Sequence, residues 1–373
     1  MTSATSQAGE SIPVLDYFPV RWPDPAMEHL HWSWDQVHHP HPETPLTATF
    51  EAPACSEGSS RGFQALKIPA NYRIFIANGY SYETMEPLAE FDSFPPPWWG
   101  DVEQEFLARL PVLTQTWEGE YLPEVQAMNR RLRNFDYAGA SMPGLLSFID
   151  ETYDLRVRAW DIHMQAVIPV MGAASRFADV YQQLLGEPAR GEPYLMLQGF
   201  ENMTTESGNA FWRLRTRVLE QPALAQIIRE TPVARLEEEL ARVPKGRAFW
   251  DEFRRFLDEF GWRSDTFELA DPAWVEDPSI PLATLQDYLD APDGAGPALQ
   301  EDRAREERER IVRETLVRLD GHEGRPLFEM MLGVSQQYLP IQENHNFYID
   351  QMNTVLLRRP FLELGGRFAQ AGA

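Results

Sequence analysis

Hydrophobic positions recur three and four residues apart over most of the chain beyond Asp101. This spacing is typical of helices that bury one face and expose the other. Ser141 suits an N-cap position and Pro143 suits a first helical turn, so a long helix is predicted from there, with a kink near Pro169. Helices are predicted over residues 141–185, 205–220, 246–260, 299–319 and much of 325–371, the last with interruptions near Pro340 and Pro360.

The first hundred residues have a different pattern, with short runs of β-branched and aromatic residues. These runs predict strands at TATFEA (47–52), GFQALKI (62–68) and NYRIFIANGYSY (71–82), and the polar residues 55–62 read as a loop. The prolines of FPPPWWGD (94–101) predict a stiff connector, and residues 262–298 read as irregular. The predicted fold class is therefore mainly α (α+β). Residues 1–100 form a Pro/His-rich leading segment with a small antiparallel β-rich part, and residues 101–373 form a large helical domain.

The charge and the cysteine content exclude several classes of partner and site. The 373 residues include 33 Lys and Arg against 57 Asp and Glu, a net charge of −24. Such a surface repels phosphate backbones and anionic lipids, so nucleic acid and membranes are not expected as partners. The single cysteine, Cys55, excludes an intrachain disulfide and a cysteine-based metal cluster. No secretory signal or membrane-spanning run is recognised, so a cytoplasmic protein is expected.

A histidine-rich window near the N-terminus has three interpretations. Its members are His29, His31, Asp35, His38, His39 and His41. Imidazole and carboxylate groups suit a metal site, but no HExxH pattern is present and prolines prevent helical presentation. A histidine that faces a pocket and acts as a base or hydrogen-bond partner is the favoured functional interpretation. The third interpretation is that these side chains only cap loops.

Two polar segments and one aromatic segment are further candidates for a functional site. Arg263 follows a helix-ending glycine beside Asp265 and Glu268, and it serves either a phosphate site or a loop ion pair. QENHNFYIDQ (342–351) is a polar island in a helical run, which is typical of a site or a buried network. The aromatic stretch 80–99 lines an apolar site or belongs to the core. No P-loop is present, so the chain is not expected to bind and cleave ATP alone.

Four runs of residues occur in an order that resembles one enzyme family. They are P-x-x-x-T-P-L at 40–46, GFENMTTESGNAFWRL at 199–214, GWR at 261–263 followed by PAWVEDP at 272–278, and ENHN at 343–346 followed by GRFAQAG at 366–372. Together they resemble the phosphohistidine-swivelling enzymes related to phosphoenolpyruvate synthase. The nearest relatives in this resemblance are the acceptor-binding middle domain of rifampicin phosphotransferase and the large subunit of phenylphosphate synthase.

The resemblance implies a relay. An ATP-grasp module with ATP and Mg²⁺ would phosphorylate a histidine on a swivelling domain, which would pass the phosphoryl group to a small-molecule hydroxyl acceptor. Neither module is recognised in this sequence, so both are expected on another domain or subunit, and this chain would supply the acceptor pocket. The aromatic content favours a phenolic or otherwise apolar alcohol. The alternatives are a non-catalytic binding or regulatory module and a His-rich metal-dependent hydrolase.

The resemblance also implies roles for particular residues. Arg263 would offset the charge of the transferring phosphoryl group, and His345, or else His38, would be the base. No metal ligand is predicted. The remaining candidates are residues expected to bind the acceptor: Asp35, Tyr82, Met85, Trp98, Glu268, Glu343, Asn344, Asn346 and Tyr348.

Overall fold

The structure, a computed structural model, describes residues 20–88, 96–186, 191–264 and 266–372, so Asp265 lies outside the described residues. The prediction of a mainly helical protein with a small antiparallel sheet before residue 100 is confirmed. The α-helices are α1 (Ala52–Ala65), α2 (Trp99–Arg109), α3 (Leu113–Thr116), α4 (Leu122–Arg133), α5 (Met142–Leu185), α6 (Glu192–Leu195), α7 (Met203–Leu219), α8 (Pro222–Glu230), α9 (Val233–Ala241), α10 (Pro244–Phe260), α11 (Ser279–Leu289), α12 (Pro297–Arg318), α13 (Arg325–His345) and α14 (Thr354–Gln370).

The sheet contains three antiparallel strands in the order β1-β3-β2. The strands are β1 (Ser33–Trp34), β2 (Ala70–Ala77) and β3 (Tyr80–Pro87). Asn78 and Gly79 both have positive φ angles, 51° and 88°, which suits the tight turn of a β2–β3 hairpin. The Gly79 carbonyl accepts a hydrogen bond from the Glu43 amide at 2.6 Å. The hairpin tip is thus joined to the part of the leading segment that precedes α1, residues 20–46, and these residues are called the leading segment from here on.

The strands predicted at 47–52 and 62–68 were wrong. Residues Thr47–Glu51 form a π-helical turn that continues directly into α1, and α1 includes the supposed loop 55–62. The small side chains of that stretch serve packing instead of turning the chain. Ala54, Ser59 and the two glycines Gly58 and Gly62 are buried where α1 lies against α5. The β-branched and aromatic runs resemble strands, but the close helix contact decides the conformation.

Helix α5 is the central element, and its predicted start is confirmed. The Ser141 hydroxyl accepts a hydrogen bond from the Gly144 amide at 3.2 Å, and Pro169 lies within the helix. Helices α1, α4, α13 and α14 pack on α5. A second core lies around the aromatic stripe of α10 and involves α7, α8, α9 and α11. Helix α11 corrects the expectation of irregular structure throughout 262–298, and α2 begins within the predicted connector 94–101.

The interruption of the last helical stretch lies elsewhere than predicted. Pro340 and Pro360 are both inside helices, α13 and α14. The helix widens instead into a π segment, Asn346–Asn353, between these two helices. Such π segments are rare and frequently occur at functional sites. This one lies against α5 and α4, and it directs Asp350 and Asn353 into the protein.

The close contact of α1 with α5 predicts a large effect of one methyl group. A Cβ atom on Gly58 would lie 2.3 Å from the Val157 carbonyl oxygen and 2.6 Å from the Trp160 Cβ atom. We expect Gly58→Ala to lower the free energy of unfolding by about 1–3 kcal/mol, because the helices must move apart. Gly333→Ala is the matched control: this helical glycine has open space around its Cβ position, and alanine should stabilise it by up to about 1 kcal/mol. Denaturant titration of both variants measures the difference, and equal effects would contradict the packing shown here.

Candidate functional site

A cavity lies between the sheet, the leading segment, α1, α5 and the π segment Asn346–Asn353. It encloses about 570 Å³ of empty space, including its opening to solvent. Its wall combines apolar side chains with an unusual number of carboxylates and imidazoles. The lining residues are Asp35, His38, His39, Glu43, Thr47, Glu51, Ala52, Cys55, Tyr72, Ile74, Ile76, Ser81, Glu83, Trp160, His163, Met164, Phe267 and Asp350.

A histidine–carboxylate pair stands at the exposed side of this cavity. The His38 Nδ1 atom lies 2.9 Å from one Asp35 carboxylate oxygen and 3.1 Å from the other, and the His38 amide also donates to Asp35 at 3.1 Å. The imidazole stacks on the Phe267 ring with 4.7 Å between centroids. Because Nδ1 faces Asp35, the other ring nitrogen, Nε2, is free to exchange a proton with a bound molecule.

The surroundings of His38 change its acidity. Burial lowers the pKa of the imidazole, but the hydrogen bond to Asp35 and the negative charges of Asp35, Asp350 and Glu83 outweigh it and raise the pKa above the ordinary value. For Asp35 the two effects have the opposite signs. Burial raises the pKa of this carboxyl group, but the hydrogen bonds to His38 outweigh burial and lower the pKa overall. The pair is therefore a histidine of increased basicity held in one orientation by a carboxylate.

A second cluster lies at the inner side of the cavity. The His163 Nδ1 atom of α5 is 2.8 Å from one Asp350 oxygen, and the His345 Nε2 atom is 3.5 Å from the other. Burial lowers the pKa of His345 to about 4, because almost none of this side chain is in contact with water. Burial raises the pKa of Asp350, but the charge of His163, together with its hydrogen bond, lowers it overall. These groups form a buried polar network with His163 and Asp350 on the cavity wall.

The floor of the cavity is a buried ion pair. The fully buried Arg156 guanidinium donates to Glu51 at 2.6–3.0 Å and to the Thr354 hydroxyl at 2.6 Å. It also donates to Asn353 and to the Ile349 carbonyl, at 3.0 and 3.1 Å. Every nitrogen of the guanidinium thus has a partner, which is the condition for burying an arginine. The pair connects α1, α5 and the π segment below the cavity.

The leading segment is attached to the loop after α10 by one carboxylate. Glu268 accepts hydrogen bonds from the Thr44 amide at 2.8 Å and from the Thr44 and Thr47 hydroxyls, both at 2.7 Å. Burial raises the pKa of Glu268, but these bonds lower it overall. The neighbouring Glu43 has a pKa raised by burial, although His39 lies 2.5 Å away. Glu268 therefore orients the segment that carries His38, without lining the cavity itself.

The structure does not bring all of the predicted site residues together. His38 and Asp35 line the cavity, and His345 lies behind it, in contact with Asp350. Arg263 lies in a separate depression with Thr204 and Trp274. Its guanidinium is 5.1 Å from the Phe347 ring centroid, so it touches the predicted polar segment but not the cavity. Burial lowers the pKa of Arg263 to about 10, and no described carboxylate forms an ion pair with it.

The other candidates lie outside the cavity. Glu343 accepts from the Thr204 hydroxyl at 2.8 Å and Asn344 accepts from the Met203 amide at 3.0 Å, so both bind the first turn of α7. Tyr348 lies in a third depression with Gln126 and Met352. The remaining candidates do not line the cavity: Tyr82 and Met85 on β3, Trp98 before α2, and Asn346 in the π segment.

Several cavity residues escaped the sequence analysis. Ser81 and Glu83 share one face of β3, whereas Tyr82 faces the other way, so the alternation of the strand would have indicated them. Glu51 lay in a segment that was predicted as a strand and is helical. Tyr72 lay in the run 71–82, whose strand prediction is confirmed, but no face of that strand was assigned to the site. His163 lies in a long apolar helix, and a lone histidine there gives no signal of its partner 187 residues further along the chain.

The pairing of His38 with Asp35 predicts a measurable change in acidity. In Asp35→Asn we expect the pKa of His38 to fall, because the carboxylate that outweighs the effect of burial is lost. Imidazole nitrogen shifts of labelled protein, followed against pH and assigned with His38→Ala, measure the change. Asp154→Asn removes an exposed carboxylate of α5 that is not part of the cavity, and it should leave the His38 titration as in the parent. An unchanged pKa in Asp35→Asn would contradict the pairing.

Comparison with known proteins identifies a family domain within the chain. Residues 163–343 match the family described as rifampicin phosphotransferase fourth domain. The resemblance to the phosphoenolpyruvate-utilising enzymes predicted from the four runs is thereby confirmed, and the chain contains a phosphotransferase-family domain. The matched range includes α6 to α12, the Arg263 loop and one member of the inner cluster, His163. His345, Asp350 and the end of α13 lie outside it.

Particular relatives agree with this class. The chain is 31% identical over 364 residues, 95% of its length, to chondramide synthase cmdD of Chondromyces crocatus. It is 29% identical over 215 residues, 57% of its length, to the uncharacterized phosphotransferase YvkC of Bacillus subtilis, and 40% identical over 77 residues, 20% of its length, to the prodigiosin synthesizing transferase PigC of Serratia marcescens. The chain spans only 9%, 26% and 9% of the lengths of these three proteins. None of the described helices is long and apolar enough to cross a membrane.

Proposed function

We propose that this chain is the acceptor-binding part of a phosphotransferase. In this proposal a histidine on another domain or subunit, phosphorylated by an ATP-grasp module with ATP and Mg²⁺, delivers the phosphoryl group. The family of residues 163–343 supports the reaction class. The observation that carries the proposal is the His38–Asp35 pair on the wall of a partly enclosed cavity that is lined by apolar and polar side chains.

Such a transfer first requires that the acceptor hydroxyl lose its proton. As the oxygen–phosphorus bond forms, the hydroxyl proton must leave, and a basic imidazole at the cavity opening can accept it. Asp35 holds the ring through Nδ1 and stabilises the imidazolium that results. His38 is therefore preferred over His345 as the base, because His345 is buried behind the cavity and its low pKa makes it a weak proton acceptor.

The cavity wall favours certain acceptors. Ile74, Ile76, Met164 and the Phe267 ring supply apolar contact, which suits a phenolic or otherwise apolar alcohol. The carboxylates of Glu43 and Glu83 repel anions. We therefore expect a neutral or cationic alcohol in preference to one that already carries a carboxylate or phosphate.

Arg263 has a different role in this proposal from the one expected from the sequence. It lies outside the cavity, so it cannot touch an acceptor bound beside His38. Its depression borders Thr204 and Ser207 in the first turns of α7, where a helix N-terminus adds positive potential. In our proposal Arg263 attracts the phosphoryl-bearing domain during docking and does not contact the acceptor.

A ligand screen tests the proposal. Phenols, neutral apolar alcohols and their carboxylated analogues are added to the purified chain, and binding is followed by thermal shift and calorimetry. Ile74→Trp fills the cavity and should abolish binding, whereas Tyr82→Trp adds the same ring on the other face of the sheet and should not. Ligands that bind are then tested for phosphorylation with ATP and the two missing modules. Binding without phosphorylation would indicate a non-catalytic module, and binding unaffected by Ile74→Trp would contradict the site.

A further inference from the structure

We propose that His163, His345 and Asp350 form a binding site for a divalent transition-metal ion. The three side chains come from α5, the end of α13 and the π segment, and their ligand atoms all lie within 4.8 Å of one another. Two imidazoles and one carboxylate are a ligand set that suits zinc, iron or manganese. The proposal concerns binding alone and does not depend on the proposed function.

The hydrogen bond of His345 fixes the orientation of its ring. The Nδ1 atom lies 3.0 Å from the Ile341 carbonyl oxygen, which can only accept, so Nδ1 carries the proton. In the neutral ring Nε2 then has a lone pair, and it faces an Asp350 carboxylate oxygen at 3.5 Å. Two lone pairs that face each other in a buried place are unfavourable unless a proton or a metal cation lies between them, and burial disfavours the protonated imidazole here. A bond from Nδ1–H to a backbone carbonyl is also the usual support of a metal-binding histidine.

His163 and Asp350 complete the set. The His163 Nδ1 atom is 2.8 Å from the second Asp350 oxygen, and its ring centroid is 4.8 Å from that of His345. In the metal-free protein this contact is a hydrogen bond. A metal ion would replace its proton and draw the same atoms toward one centre. The ligand atoms already lie within 4.8 Å of one another, so the proposed site requires small side-chain rotations rather than a movement of α5 or α13.

The position of the cluster leaves room for further ligands. His163 and Asp350 line the cavity, so an ion bound there is accessible from solvent through the opening beside His38. Its remaining coordination positions would face the cavity, as in sites where a metal polarises a bound molecule. The carboxylates of Glu43 and Glu83 add negative potential that attracts a cation. Magnesium is a poor candidate, because it prefers six oxygen ligands in a strict octahedron.

Cobalt titration tests the proposal, since Co²⁺ replaces zinc and its visible ligand-field absorption reports nitrogen and oxygen coordination. We expect one equivalent to bind to the parent protein. Binding should weaken by at least about 100-fold in Asp350→Asn and in His163→Gln, because each loses a ligand. His163 is the second choice of position in case Asp350→Asn does not fold. His41→Ala removes an exposed histidine outside the cavity and should bind Co²⁺ like the parent.

Thermal denaturation with Zn²⁺ gives a second readout. A ligand that binds only the folded state raises the melting temperature, so Zn²⁺ should stabilise the parent and His41→Ala but not His163→Gln. The proposal is overturned if the parent binds no stoichiometric metal. It is also overturned if His163→Gln and Asp350→Asn, both folded, bind Co²⁺ as tightly as the parent, since the metal would then be held by other histidines.

Discussion

Replacing His38 with alanine will lower the rate of phosphoryl transfer to the acceptor by about 10²–10⁴-fold, the usual contribution of a positioned base. The imidazole stands at the cavity opening with Nδ1 on Asp35, so the substitution removes the proposed proton acceptor but little packing. The measurement is single-turnover transfer in the system reconstituted with the ATP-grasp and swivelling modules. Thermal melting should remain close to that of the parent, because almost half of the His38 side chain is exposed.

The rate of phosphoryl transfer should also change with pH in a defined direction. A base acts only when unprotonated, and the pKa of His38 is raised by Asp35, Asp350 and Glu83 in spite of burial. The rate should therefore rise with pH through the neutral range and level off above the pKa of His38. In His38→Ala this rise should vanish, whereas His41→Ala should keep both rate and profile. If His38→Ala retains the rate of the parent, His38 is not the base, and a readily ionised phenol would need none.

Replacing Arg156 with methionine will cost about 3–5 kcal/mol of folding free energy, because Glu51 is left as an unpaired buried charge. Guanidinium denaturation followed by tryptophan fluorescence measures the loss. The matched control is Arg61→Met, which breaks an exposed pair with Glu57 on α1 and should cost no more than about 0.5 kcal/mol.

The double variant Glu51→Gln with Arg156→Met separates charge from packing. It removes the unpaired carboxylate, so it should be more stable than Arg156→Met alone. If the two substitutions instead add their separate costs, the guanidinium and the carboxylate act independently and the ion pair contributes little. The site would be affected in either case, because Arg156 also holds Asn353 and the Ile349 carbonyl beside Asp350.

The local patterns of the chain determined much of its secondary structure. The N-cap of α5 at Ser141 and the end of α10 before Gly261 depend on groups within one turn, so both were predicted closely. The runs around Gly261-Trp262-Arg263 and Glu343-Asn344 indicated a resemblance to a phosphotransferase family, and the match of residues 163–343 to a domain of that family confirms the resemblance. His38 and Asp35 were also accessible to prediction, because the carboxylate lies three residues before the histidine.

Tertiary structure decided the rest. The sequence 47–68 has strand-like runs, yet residues 47–65 are helical because their small side chains allow α1 to approach α5 closely. The cavity joins carboxylates and imidazoles from the leading segment, the sheet, α1, α5 and the π segment, and no pattern within one element reveals such a meeting. His163 and Asp350 are 187 residues apart and share a hydrogen bond only because α5 packs against the π segment. Long-range contacts of this kind depend on how the helices pack, and local spacing contains no information about them.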